Sequence, residues 1–262
     1  MTAAHTTSRP TLKLGGFSPT FLGLEIKRLI RNRRTVLFTL VMPPVFFVIF
    51  GTASDYSSNY AFAHGNVTAF IAISMAVYGA MLAATSGGAM VSVERAQGWS
   101  RQLRLTPLKP VAYIVTKMAV AMTMGLASIV VVFAVASVFG ADMPIWVWIS
   151  TGVIAWLGSS VFAAFGLFMG YLLPSENVMQ VLGPVLAVLA FAGGLFVPLA
   201  DSGWFPFVSK FTPLYGLATV ARAPFTDPSA ATLAVAVLNL VVWAGVFIVG
   251  AAVLFRRDTQ RV

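Results

Sequence analysis

The sequence predicts an all-α polytopic membrane protein with six transmembrane helices, an amphipathic interfacial helix ahead of the first and a re-entrant segment ahead of the last. Three observations carry this expectation. Of the 262 residues, 58% are hydrophobic and 10% charged, against about 45–50% and about 25% in a soluble domain, so lipid is the solvent for most of the chain. Six uncharged apolar runs follow one another, each near the roughly 20 residues that one helical span takes, which leaves no room for a separate soluble domain. The cations are also sorted: of the 17 Lys and Arg residues, all but Lys210 and Arg222 fall in 9–34, 95–117 and 256–261. The positive-inside rule then places both termini and the 94–117 loop in the cytoplasm of a plasma (inner) membrane protein. The net charge of +9 is therefore a topology signal, and no nucleic-acid partner is expected from it.

Residues 1–17, rich in Thr, Ser and Gly and without apolar periodicity, are expected to form a flexible tail. Over 18–34, Phe21, Leu22, Ile26, Leu29 and Ile30 share one helical face while Lys27, Arg28 and Arg31 share the other. Such a helix lies in the membrane interface with its cations toward anionic headgroups. Span one, about 35–53, carries Pro43-Pro44 at its middle. The carbonyls of Thr39 and Leu40 lose their helical donors there, and a kink is expected. The pair Arg33-Arg34 before this run resembles a twin-arginine export signal, but five further apolar runs follow that a cleaved signal would not explain.

Span two, about 66–93, repeats a small residue at every fourth position, Ala72, Ala76, Ala80, Ala84 and Gly88, a ridge that lets helix backbones approach closely in lipid. Between it and span three, about 117–140, lies the one internal stretch dense in charge, Glu94 to Pro110. Charges of that density do not sit in hydrocarbon, so the stretch is a water-facing surface on which something soluble can dock. Span four, about 146–173, begins with Trp146 and Trp148 as interfacial anchors, and Pro174 ends it. Span five, about 178–198, follows a short turn. Residues 199–229 are apolar yet broken by Gly203, Pro206, Pro213, Gly216, Pro224 and Pro228 into pieces too short to cross a bilayer, which fits re-entrant or interfacial half-helices. Span six, about 230–255, ends in Arg256-Arg257, with a short cytoplasmic tail over 258–262.

Several function classes are excluded. No cysteine is present, so there is no disulfide framework, thiolate nucleophile or Cys-based metal site. His5 and His64 stand too far apart to suggest a paired ligand set. No carboxylate lies at depth in a span for proton or sodium coupling, no Gly-Lys dipeptide offers a phosphate-cradling loop, and the Ser and Thr residues of the spans have no buried His or Asp beside them in sequence. The chain is not expected to be an enzyme or to bind a cofactor itself.

Three patches in order carry a resemblance: Glu94-Arg95 with Gly98 and Leu105-Thr106-Pro107; Gly193-Gly194-Leu195-Phe196-Val197-Pro198 followed by Trp204-Phe205-Pro206, Thr212-Pro213 and Ala221-Arg222; and the basic helix leading to Pro43-Pro44. Over about 18–257 the chain resembles the membrane subunit of ABC-2 type transporters, the branch of daunorubicin-type multidrug and of polysaccharide or lipid exporters. The stretch after Gly98 is more basic than the family's pattern. The resemblance implies efflux energised by a cytoplasmic ABC ATPase subunit that binds the ATP and Mg, and the uncharged, apolar and Phe-rich spans suggest an amphipathic or lipid-like substrate. The resemblance also implies a second permease copy or a paired homologous permease. By the same resemblance Glu94, Arg95, Gly98, Arg101, Arg104, Leu105, Thr106 and Pro107 form the ATPase-coupling helix, and Lys27, Arg28 and Arg31 belong to the interfacial helix. Gly193, Gly194, Pro198, Phe205, Phe211 and Arg222 would form an outer gate, with the aromatic rings packed on spans five and six and Arg222 at the headgroup level or snorkelling. A membrane scaffold or sensor that holds a cytoplasmic partner on the same loop is the alternative.

Overall fold

The computed structural model describes residues 19–52, 62–98, 110–196 and 203–260. They form helices α1 (Pro19–Arg31), α2 (Arg33–Val36), a π-helical turn (Leu37–Val41), α3 (Met42–Gly51), α4 (Val67–Ala96), α5 (Pro110–Val138), α6 (Ile145–Gly158), α7 (Ser160–Leu172), α8 (Ser175–Ala192), α9 (Trp204–Ser209), α10 (Pro213–Thr226) and α11 (Ala230–Gln260). Among the described residues there is no β-strand, only an isolated bridge between Phe62 and Gly65. Five stretches are long and apolar enough to cross a membrane, namely α4, Ala112–Val138 of α5, Ile145–Leu172 across α6 and α7, α8, and Ala230–Arg257 of α11. A sixth apolar helix, Leu37–Gly51, is shorter and continues back through α2 to Arg33. The protein is a multi-pass, all-helical membrane protein.

The π-turn sits where the two prolines strip the helix of donors. Pro43 cannot donate to Thr39, and the freed Thr39 carbonyl instead accepts from Ser128 Oγ of α5 at 2.7 Å, while Thr39 Oγ1 donates to the Thr35 carbonyl at 2.7 Å. A polar side chain from a neighbouring helix thus meets the backbone group that water cannot reach in lipid. The expected kink takes the form of a widened turn tied to α5.

Helix α4 is the central column, buried on nearly all sides and packed between α5 and α7. Small residues on both sides of the seam are the reason: a Cβ added at Gly88 of α4 would come 2.4 Å from the Ala163 carbonyl oxygen, and one at Gly166 of α7 would come 2.1 Å from that of Thr85. Backbone meets backbone along this seam, as the four-residue ridge implies. The fourth span bends at Ser159, where Ser159 Oγ donates to the Trp156 carbonyl at 2.7 Å. Hydroxyl bonding of this kind bends helices.

At one end of the bundle Asn66 stitches the start of α4 to the α5–α6 connection. Its Oδ1 accepts from Ala69 N (2.9 Å) and Asp142 N (3.2 Å), and its Nδ2 donates to the Gly140 carbonyl (2.8 Å). Phe62 stacks on Phe70 and meets Phe225 of α10, ring centroids 5.0 and 5.1 Å apart, so the break before the last span lies at this end too. Helix α10 is folded into the bundle against α4, α6, α8 and α11. At the opposite end gather α1, the last turn of α4, the start of α5 and the close of α7, and with them most of the described charged residues.

Candidate functional site

The last turn of α4 ends in Glu94 and Arg95, and each holds different neighbours. Glu94 is 2% exposed and Lys117, two turns into α5, is 4% exposed. Lys117 Nζ donates to Glu94 Oε1 and to Glu25 Oε2 of α1, both at 2.5 Å. Tyr113 Oη, one turn before Lys117, donates to the other oxygen of Glu94. Arg28 Nη1 completes the cluster at 3.3 Å from Glu94 and 3.8 Å from Glu25. Two carboxylates and two cations therefore neutralise one another where α1, α4 and α5 meet. Such a group persists away from water only because each charge is paired and hydrogen-bonded.

Arg95 reaches the other way. Its Nη1 donates to the carbonyls of Gly170 (3.2 Å) and Tyr171 (3.3 Å), and its guanidinium lies 5.3 Å from the centroid of the Tyr171 ring. These carbonyls belong to the last turn of α7, which has no helical donors of its own, and a cation there also meets the negative end of the helix dipole. The end of α4 is thus a joint that binds α1 and α5 through Glu94 and α7 through Arg95. Beyond it the chain turns at Gly98 (φ +72°), with open space where a Cβ would stand, so the left-handed backbone alone selects glycine.

Of the residues that the sequence assigns to coupling, Glu94, Arg95 and Gly98 are brought together here. Glu94 faces the interior of the bundle and not the water-facing surface on which docking was expected, because three donors draw it inward. Arg101, Arg104, Leu105, Thr106 and Pro107 lie outside the described residues, as does Pro198. Lys27, Arg28 and Arg31 are exposed along α1. Sequence reasoning did not assign Glu25, Tyr113 and Lys117 to the site. The available signal was a lone acid three residues before Arg28, and a Tyr–Lys pair four residues apart at the start of an apolar helix.

The opposite end has its own buried cation. Arg222 of α10 was expected at the headgroup level or snorkelling, but it is buried. Its Nη1 donates to the Gly194 carbonyl at 2.9 Å, and its Nη2 donates to Ser74 Oγ of α4 at 2.6 Å and to the Leu195 carbonyl. The guanidinium lies over Phe70, 4.2 Å from the ring centroid. The reason is the backbone: α8 ends at Ala192, Gly194 turns the chain at φ +69°, and the carbonyls freed there need a donor that α10 supplies. Gly193 packs on Leu214 and Tyr215, where a Cβ would come within 2.8–3.0 Å.

The hairpin between α9 and α10 is held from α11. Asn239 Nδ2 donates to the carbonyls of Lys210 (2.8 Å) and Thr212 (3.0 Å), its Oδ1 accepts from Gly216 N (3.2 Å), and Trp243 Nε1 donates to the Phe211 carbonyl (3.0 Å). The side chains of Phe205 and Phe211 do not pack on the neighbouring spans as expected, being 41% and 64% exposed in the single chain. Ser209 is the inward residue of α9, donating to the Ala192 carbonyl at 2.5 Å, which leaves Trp204, Phe207 and Phe211 on the outward face.

Residues 20–226 match the family described as ABC-2 type transporter. The Bacillus subtilis (strain 168) protein named "Putative transport permease YvfS" is 29% identical over 178 residues, which cover 66% of this chain and 71% of that protein. The matched region takes in both ends of the bundle, from α1 and the Glu94–Lys117 joint to the last residue of α10, and the chain belongs to the ABC-2 type transporter family as a membrane permease domain, which lacks ATPase motifs.

Proposed function

We propose that this chain is the permease half of an ATP-driven exporter in the plasma (inner) membrane, moving an amphipathic drug, lipid or glycan-type substrate out of the cytoplasm. ATP and Mg would be bound by a separate ABC ATPase subunit, and a second permease copy or a paired homologous permease would complete the pathway. The observation that carries this reading is the joint at the end of α4. The turn at Gly98 stands within four residues of Glu94 and Arg95, whose bonds reach α1, α5 and α7. A docked ATPase closing on nucleotide would move three helices through one short turn, provided that its contacts with the loop differ between the two states. Both termini would be cytoplasmic, since the joint and the cation-rich segments lie at the same end. The description of the Bacillus relative as a transport permease supports the same reading.

The opposite end would form the exit, with Gly193, Gly194 and Pro198 letting the end of α8 move and Arg222 bracing it. Phe205 and Phe211 would be covered by the second permease copy. The test is Gly98→Ala in the assembled complex, measured as substrate-stimulated ATP hydrolysis. The substitution meets no steric obstacle but penalises the left-handed backbone by about 1 kcal/mol, so assembly should survive while stimulation falls severalfold. Unchanged stimulation in Gly98→Ala and in Glu94→Gln alike would remove the coupling role and favour the scaffold.

A further inference from the structure

Beside the joint, a cleft of about 340 Å³ opens between α1, α4 and α5, lined by Arg28, Leu29, Arg31, Asn32, Gly87, Met90, Val93, Gln97 and Val120 as well as the buried ions. We infer that this cleft is a discrete binding site for one anionic phospholipid of the adjoining leaflet, with its phosphodiester at Arg31, Asn32 and Gln97 and an acyl chain along Met90, Gly87 and Val120. The inference does not rest on transport. Charge is the first argument. Glu25 and Glu94 are matched by Lys117 and Arg28, whereas Arg31 makes no ion pair among the described residues, so the rim keeps one surplus cation next to two amide side chains.

Depth is the second argument. Gly87 lies seven residues before Glu94 along α4, about 10 Å at 1.5 Å per residue, toward the middle of a spanning helix. The wall there is apolar, and an acidic side chain of a soluble partner does not reach so far from the polar rim. An acyl chain does, with its headgroup at the rim. Position is the third. Leu24 and Ile30 of α1 are exposed, so the helix that borders the cleft meets hydrocarbon with its own apolar residues, and a lipid can enter sideways. A bilayer that merely attracts the basic face of α1 would need none of this cavity. A seated lipid would also fill the space against which α1 leans on the joint.

The test is native mass spectrometry of the delipidated full chain, alone and with its ATPase subunit, titrated with phosphatidylglycerol or phosphatidylcholine of the same acyl chains. The wild type should retain one phosphatidylglycerol about five- to tenfold more strongly than phosphatidylcholine, the scale of a charge-assisted contact to one surplus arginine. Arg31→Gln should abolish that preference, Arg31→Lys should keep most of it, and Met90→Phe, which fills the apolar arm, should weaken both lipids. Equal retention of the two lipids by the wild type, or an unchanged preference in Arg31→Gln, would overturn the site. Displacement of the lipid by inorganic phosphate alone would reduce it to a simple anion site and overturn the acyl part. Loss of the ATPase subunit from Arg31→Gln with lipid retention unchanged would assign the arginine to a protein partner instead.

Discussion

Replacing Lys117 by methionine is the sharpest probe of the buried joint, because it removes the shared cation and keeps the length of the side chain. Lys117 serves two carboxylates at 2.5 Å each. With charge centres about 4 Å apart, each pair gains about 4 kcal/mol at an effective dielectric constant near 20, and much of that gain offsets the cost of taking three ions out of water. After the substitution Glu94 and Glu25 face each other across the cluster with Arg28 alone, whose side chain is half exposed. Leaving a buried charge without its partner costs about 3–5 kcal/mol. Glu94→Gln should cost less, about 1.5–3 kcal/mol, since Lys117 keeps Glu25 and the amide oxygen still accepts from Tyr113. The double variant should then be more stable than the sum of the two losses predicts by about 1–3 kcal/mol. Equilibrium unfolding in mixed micelles, followed by tryptophan fluorescence, measures all three. If the two losses add to within about 0.5 kcal/mol, the residues do not act as one group, and the account of the joint fails.

The seam between α4 and α7 predicts that Gly166→Ala, whose Cβ would stand 2.1 Å from the Thr85 carbonyl oxygen, destabilises by about 1–3 kcal/mol. Gly183→Ala, with nothing within 4 Å, should be neutral or slightly stabilising in the same unfolding assay. Arg222→Leu strands the Gly194 and Leu195 carbonyls and should cost about 2–4 kcal/mol from two unpaired acceptors; an unfolding midpoint within experimental error of the wild type would contradict the brace. Asn239→Leu should speed amide exchange across 209–216 without slowing or speeding it at the Glu94 joint, read by hydrogen exchange with mass spectrometry. Cysteines at Phe205 and Phe211 should be shielded from impermeant thiol reagents in the resting complex. Complete labelling from outside, unaffected by nucleotide, would mean that no second copy covers them.

What the sequence made legible follows from what hydrocarbon forbids. Lipid allows neither open backbone nor scattered charge, so apolar length gives the helices and the sorting of Lys and Arg gives the ends to which they belong. The alanine ridge of α4 reads as a contact because small residues recur on one face, and the structure sets its Gly88 against α7 and its Ala80 against Gly125 of α5. Pro43-Pro44 reads as a kink because its missing donors are written in the sequence. The donor that compensates, Ser128, is not, since it stands 89 residues from Thr39. Separation in sequence also hides the joint: Lys117 stands 92 residues from Glu25 and 23 from Glu94, and each alone reads as an ordinary charge at a helix end. Arg222 was misplaced because a lone cation in an apolar segment offers two outcomes, snorkelling or pairing. The carbonyls that decide between them belong to another helix end.

The two ends are joined by a single element. Helix α4 runs unbroken over 30 residues, with Ser74 and Phe70 against Arg222 at one end and Glu94 and Arg95 at the other. From Ser74 to Glu94 the rise is about 30 Å, and along it the helix carries no proline. Close backbone contact with α7 on one side and α5 on the other leaves little freedom to bend. A displacement of its charged end would therefore reach the Arg222 brace as a tilt or a shift of the whole column and would not be absorbed on the way. The helix irregularities lie off this axis, in the π-turn before Pro43-Pro44 and in the bend at Ser159. On the proposed function this division explains why the joint is ionic. Paired charges hold a fixed geometry in which slippage by one turn would leave buried ions unmatched, so the loop beyond Gly98 would move the column and not slide along it.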